Sequence, residues 1–213
     1  MTTTFFEKYP KTLYNLNNEN TLDVITNLTV NFSFSDSITE NSVSYYEYNV
    51  SDGETPESIA YNLYGRADYH WIILKANKIV NVIEEWPLED RSLMNYIDKK
   101  YEENAGVGET GLQWAQQNYK KYIKIETRTY VLSGEKNVQE IEIDEDEYNS
   151  ITPSSTTVTL PDGIQMIWSK DRSRKTYYEY EMDLNESKRN IKIIKPEFVN
   201  FIYTEFTGIM NNE

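Results

Sequence analysis

Between Tyr45 and Asn77 the chain is punctuated so closely that few local structures can accommodate it. Tyr45-Tyr-Glu-Tyr-Asn-Val50 is rich in aromatic and β-branched side chains and reads as a strand. Asp52-Gly53 then turns the chain. Thr55 is a helix cap, and Pro56 stands at the first helical position, where its missing N–H costs nothing. Ile59, Ala60, Leu63 and Tyr64 recur at the spacing of one buried helix face, and Gly65 falls where a left-handed stop is wanted. Asp68 is then expected to cap a second helix running to Asn77. Its apolar face is Tyr69, Ile72, Ile73 and Ala76, with Trp71 and Leu74 beside it. Strand, helix, glycine stop and helix agree with one another, so this segment should form one packed unit.

The flanking sequence is less regular. Phe5, Phe6, Tyr9 and Pro10 make an aromatic knot, and Thr29-Val-Asn-Phe-Ser-Phe34 alternates as a strand would. Trp86-Pro87 breaks the chain, and a helix is expected from about 89 to 102. Gly106, Gly108 and Gly111 mark a loop, and residues 113–122 would pass from helix into strand. Residues 122–131 and 138–143 alternate, and Pro161-Asp-Gly163 turns a hairpin between 157–160 and 164–168. A helix over 177–190 should lead into the short strand Ile191-Lys-Ile-Ile194. Pro196 opens a last helix, with Phe198, Phe201, Ile202, Phe206 and Ile209 at helical spacing. That stripe packs on its own domain or on another subunit. The expectation is an α+β chain with an N-terminal arm over 1–44 and a strand–helix–helix block over 45–88. A helical segment over 89–122 and a β-rich region over 123–213, closed by a strand and an amphipathic helix, complete it.

At 213 residues the chain is long enough to bury a core without staples. It has no cysteine, which excludes disulfides and thiolate metal sites. A net charge of −14 argues against nucleic acid as a main partner, because phosphate contacts need a basic face. The start lacks a basic and apolar leader, and no apolar run approaches the roughly 20 residues of a membrane span. A soluble chain on the cytosolic side of any membrane is the expectation. The 18 tyrosines and 4 tryptophans suit either core or protein interface.

Little in the sequence is chemical. His70 is the one histidine, which leaves triads and histidine-based metal sites nothing to build on; it is assigned packing or capping. No phosphate-cradling loop or nucleophile elbow appears. Of the acids, Glu54 and Glu57 are the only ones near a groove worth weighing for glycoside hydrolysis, and both fall at a helix start, where acids are ordinary. No catalytic, cofactor or metal residues are therefore assigned. Two charge runs stand out, six acids within 140–147 and four bases within 170–175. They are solvated faces, or strips that mate within or between chains.

Gly53-Glu-Thr-Pro-Glu-Ser-Ile-Ala60 is similar to the opening of a LysM module. With Tyr45-Tyr46, Leu63-Tyr-Gly65, Tyr69-His-Trp-Ile-Ile-Leu74 and Asn77, it resembles the central block of the LysM-like baseplate wedge proteins of T-even-type contractile-tailed bacteriophages. Glu85-Trp-Pro-Leu88 followed by Tyr96-Ile-Asp-Lys-Lys-Tyr101 resembles that family's next block, and Ile191–Ile194 with the helix after it resembles its end. The resemblance implies a non-enzymatic virion protein of the tail baseplate, assembled in the host cytoplasm. Its partners would be other wedge proteins and the neighbouring wedges of a six-fold ring, with no cofactor and no small-molecule substrate. The motif residues would be Thr55, Pro56, Ile59, Tyr64, Gly65, Tyr69, Trp71, Leu74, Asn77, Trp86 and Pro87. Phe5, Phe6, Phe198, Phe201, Ile202 and Phe206 would be the interface candidates.

The alternative is a module that binds peptidoglycan, an N-acetylglucosamine polymer. A sugar-binding LysM closes its groove with a second strand soon after the second helix, and the saccharide would lodge beside the turn before the first helix. Here Lys78-Ile-Val-Asn-Val-Ile-Glu-Glu-Trp-Pro87 contains no Pro-Gly turn and heads toward another helix. The expectation is a retained scaffold with half its groove altered.

Overall fold

The computed structural model describes residues 5–15, 22–30 and 42–211, and the fold is mixed α and β with several small sheets. Two compact units emerge, one from residues 1–88 with 186–213 and one from 89–185. The first unit's leading stretch ends at Leu88, residue 122 lies inside a strand, and the C-terminal strand and helix belong with the first unit.

In the first unit, a 3₁₀ turn at Phe5–Lys8 precedes strands β1 (Lys11–Tyr14) and β2 (Asp23–Thr26), which pair antiparallel. The strand read over 29–34 does not begin where expected. Thr29 sits in a turn held by the Asn27 side chain, and residues 31–34 lie outside the described residues. Next come β3 (Tyr45–Asn49), α1 (Pro56–Tyr64), a 3₁₀ turn at Ala67–Tyr69, α2 (His70–Ala76) and a single turn α3 (Val82–Glu85). Thr55 and Ser58 form a reciprocal capping box, each side chain taking the other's backbone N–H. Gly65 ends α1 at φ 73°, its N–H donating to the Tyr61 carbonyl at 3.0 Å. Asp68 does not cap the second helix. Its carboxylate takes the Arg66 Nε at 3.0 Å, and that bond holds its pKa below the usual carboxylate value.

The second strand of this block is present, although the sequence after Asn77 gives no sign of it. It is β8 (Asn190–Ile194), which pairs antiparallel with β3 from Tyr45↔Ile194 to Asn49↔Asn190. The absence of a closing strand read from residues 78–87 is therefore corrected: the strand arrives only after the whole second unit has been threaded. Ile191 and Ile193 of β8 pack with Val50, Ile59, Ala60, Ile73 and Trp86. On the other side of α2, Trp71, Ile72 and Ala76 join Tyr9, Ile194 and α8 (Pro196–Asn211) through Val199, Ile202, Phe206 and Met210. Fully burying side chains of this size contributes about 1.5–3 kcal/mol each.

The second unit starts with α4 (Asp90–Lys100) and α5 (Gly111–Gln117), then β4 (Tyr119–Tyr130), as the helix-into-strand reading requires. Gly111 has no room for a side chain, since a Cβ there would meet the Asp98 carbonyl oxygen at 2.0 Å. Strand β5 (Lys136–Ile143), helix α6 (Glu145–Ser150), the hairpin β6 (Ser154–Thr159) and β7 (Gln165–Thr176), and α7 (Tyr177–Ser187) follow. The sheet is antiparallel in the order β5-β4-β7-β6. At its helical end Tyr101, Trp114 and Tyr177 form a ring cluster, with centroids 4.9 to 5.6 Å apart. The buried Glu181 carboxylate there accepts from the Tyr101 hydroxyl at 2.7 Å and Lys100 Nζ at 2.8 Å. A buried charge needs such partners. No helix among the described residues is long and apolar enough to cross a membrane.

Candidate protein interface and the turn before the first capped helix

Polar groups of the turn before α1 are answered from within the chain. The Glu54 carboxylate accepts the Tyr48 hydroxyl at 2.9 Å and the Ser51 N–H at 2.8 Å. Burial, with Glu54 beside it, pushes the Tyr48 phenol up. The Glu54 carbonyl accepts the Trp86 indole N–H at 2.9 Å, and that side chain is only 6% exposed. Arg189 reaches in from the approach to β8, donating to the Val50 carbonyl and to Asp52, each at 3.1 Å. Backbone, carboxylate and indole thus close on one another. Glu54, weighed as an acid for hydrolysis, is a ligand of its own loop, and Glu57 is exposed on α1.

The other motif residues act as struts. Asn77 donates to the Ile73 and Lys192 carbonyls, both at 2.8 Å, and accepts the Lys192 N–H at 2.7 Å. It therefore ends α2 and latches β8 with one side chain. The Tyr64 hydroxyl donates to the Ile194 carbonyl at 2.9 Å, and burial pushes its phenol up. Pro56, Ile59, Trp71, Trp86 and Pro87 are buried, and Tyr64, Tyr69 and Leu74 pack partly buried against the cores. His70 Nδ1 lies 3.1 Å from the Ala67 carbonyl, on the turn that starts α2. A shallow pocket of about 270 Å³ opens between Asn77, Ile79, Glu85, Lys188, Asn190 and Ile191. Glu85 there accepts the Val80 N–H at 2.7 Å, and Lys188 Nζ donates to the Glu84 carbonyl at 2.6 Å.

The interface candidates separate. Ile202 and Phe206 are 1% exposed and belong to the core, and Phe198 packs partly buried against it. Phe201 is 60% exposed and free to meet a partner. The side chains of Phe5 and Phe6 lie outside the described residues. Sequence reasoning missed Tyr48, whose bond to Glu54 spans six residues without a periodic pattern, and it missed Arg189 and the latch at Lys192, whose contacts cross long stretches of chain. The charge runs are mostly answered inside the second unit. Lys121 and Lys124 of β4 pair with Glu142 at 2.8 Å and Glu147 at 3.3 Å. Arg172 donates to the Tyr148 carbonyl at 2.6 Å, and Lys175 pairs with Asp183. Arg128 and Lys170 make no ion pair among the described residues.

No protein-family model matches the chain, and no curated protein matches it.

Proposed function

We propose that this chain is a structural subunit of a contractile-tail phage baseplate, without enzymatic activity. It would join wedge proteins, and neighbouring wedges of the six-fold ring, through protein contacts. The observation that carries this reading is the occupied turn. Trp86, Glu54 and Arg189 tie the loop around Asp52-Gly53 to the chain itself, which leaves fewer of its polar groups for a saccharide. A glycan bonding to the Glu54 carbonyl would have to compete with a buried indole N–H already held there. The exposed Phe201 supports contact with other proteins.

The second reading, a peptidoglycan-binding LysM module, gains from one observation: the β3–β8 pair completes the strand–helix–helix–strand frame. One experiment separates the two. The full chain is incubated with purified cell-wall sacculi and, in parallel, with the products of the genes adjacent to its own. Stable complexes with those proteins and no retention on sacculi at physiological salt are expected. Retention that Trp86→Ala strengthens would overturn the assembly reading, because it would mean the indole merely gates a working sugar site.

A further inference from the structure

The second unit carries a bare sheet edge. Strand β6, Ser-Ser-Thr-Thr-Val-Thr over 154–159, is terminal in the sheet, and no strand pairs with its outer side among the described residues. Edges are normally blunted by charge, proline or a bulge. β6 has no charged residue, no proline and unbroken register with β7 from Ser154↔Lys170 to Thr159↔Gln165. The opposite edge, β5, carries Lys136, Glu140 and Glu142. The Leu160 N–H donates to the Ile164 carbonyl at 2.9 Å, so by antiparallel alternation Ser155, Thr157 and Thr159 aim their N–H and C=O groups outward.

One face beside this edge is cationic and aromatic. Trp168 of β7, 43% exposed, lies opposite Thr156 on one side and Arg128 of β4 on the other, so the three share a face. Lys170, two residues along β7, shares it too. Glu126 stands opposite Lys170 but faces Lys124 at 3.9 Å. In a chain of net charge −14, two unpaired cations flank an exposed indole one strand from an open edge. We infer that β6 accepts an extended strand from another protein, with acidic side chains on the Trp168 face. Such a strand would lie about 10 Å from β7, a span that a lysine and a glutamate bridge across small Thr156 and Ser154.

A second copy adding its own edge strand antiparallel does not supply that chemistry. Its β6 has no acid, and on its β5 the acids Glu140 and Glu142 pair with Ile125 and Ile123, on the face away from Trp168. The inference takes from the assembly reading only that the ligand is protein. Cell-wall retention would sink that reading and leave the edge standing, and the reverse holds for peptide binding.

The test uses the full chain and two labelled, end-blocked octapeptides, alternating Glu-Val and alternating Lys-Val, followed by fluorescence anisotropy. The acidic peptide should bind about tenfold tighter than the basic one, a preference that falls as salt rises. Thr157→Pro removes an outward N–H and should abolish binding of both. R128E combined with K170E, changes of an exposed and a half-buried side chain outside the β6 edge, should reverse the preference without abolishing binding. That pair keeps the test decisive if the proline variant fails to fold. Equal binding of the two peptides, or no binding, overturns the inference. So does a dimer in sedimentation that Thr157→Pro dissolves, because a second copy would then hold the edge.

Discussion

At the scale of single residues, Trp86 decides most about the first unit. Its ring fills the core between β8 and α1, and its N–H closes the loop that precedes α1. Trp86→Ala is expected to cost about 3–5 kcal/mol, read as a lower urea midpoint with an unchanged slope. Trp86→Phe keeps most of the packing and loses the bond to Glu54, for about 1 kcal/mol. Equal losses in the two variants would show that the hydrogen bond, not the ring, matters. The importance of Trp86-Pro87 was legible in the sequence as a break between helical patterns. Its partner was not, because Glu54 lies 32 residues earlier and no periodicity connects them. Arg189 was less legible still, since it bonds to Asp52 across 137 residues.

At the scale of elements, α8 shows what a hydrophobic stripe does and does not reveal. Helical spacing identified the helix and its apolar character, but five large side chains spread over more than one face. Val199, Ile202, Phe206 and Met210 form the buried line, and Phe201 stands roughly half a turn away from it. Phe206→Ala should therefore lower stability by about 3–5 kcal/mol, and Phe201→Asp should change it by less than about 0.5 kcal/mol. If the aspartate variant melts normally but no longer joins its protein partners, Phe201 is a contact residue. If its melting temperature collapses, the helix is covered on that side by the chain itself. The acidic run teaches the same lesson in another way. Read as a charge patch, it divides between the end of β5 and the start of α6, because Asp144 caps the Glu147 N–H at 2.7 Å and acids favour a first turn. The caps at Thr55 and Gly65 were readable for the same local reason.

At the scale of the whole molecule, the strand–helix–helix–strand block is interrupted. Its two strands are paired residue for residue, yet all of residues 89–185 intervene between α3 and β8. No local pattern announces such a pairing, which is why the sequence appeared to lack its second strand. The bond from Lys188 Nζ to the Glu84 carbonyl, 2.6 Å long, holds the two crossing points of the chain close together. Residues 89–185 should therefore be dispensable to the first unit. Joining 88 to 186 through about ten Gly/Ser residues, a coil of roughly 17 Å, asks little of the chain beyond a loop closure. The shortened protein is expected to unfold in one cooperative transition and to keep the near-ultraviolet circular dichroism of Trp71 and Trp86 inside their cores. A featureless near-ultraviolet spectrum with helical signal retained would mean that β8 finds β3 only when the second unit is in place. Separate folding has a consequence for assembly as well. A first unit sealed by Trp86 and a second unit with an open edge at β6 would offer independent surfaces, so the shortened protein should lose peptide binding at β6 while keeping any contact made through Phe201.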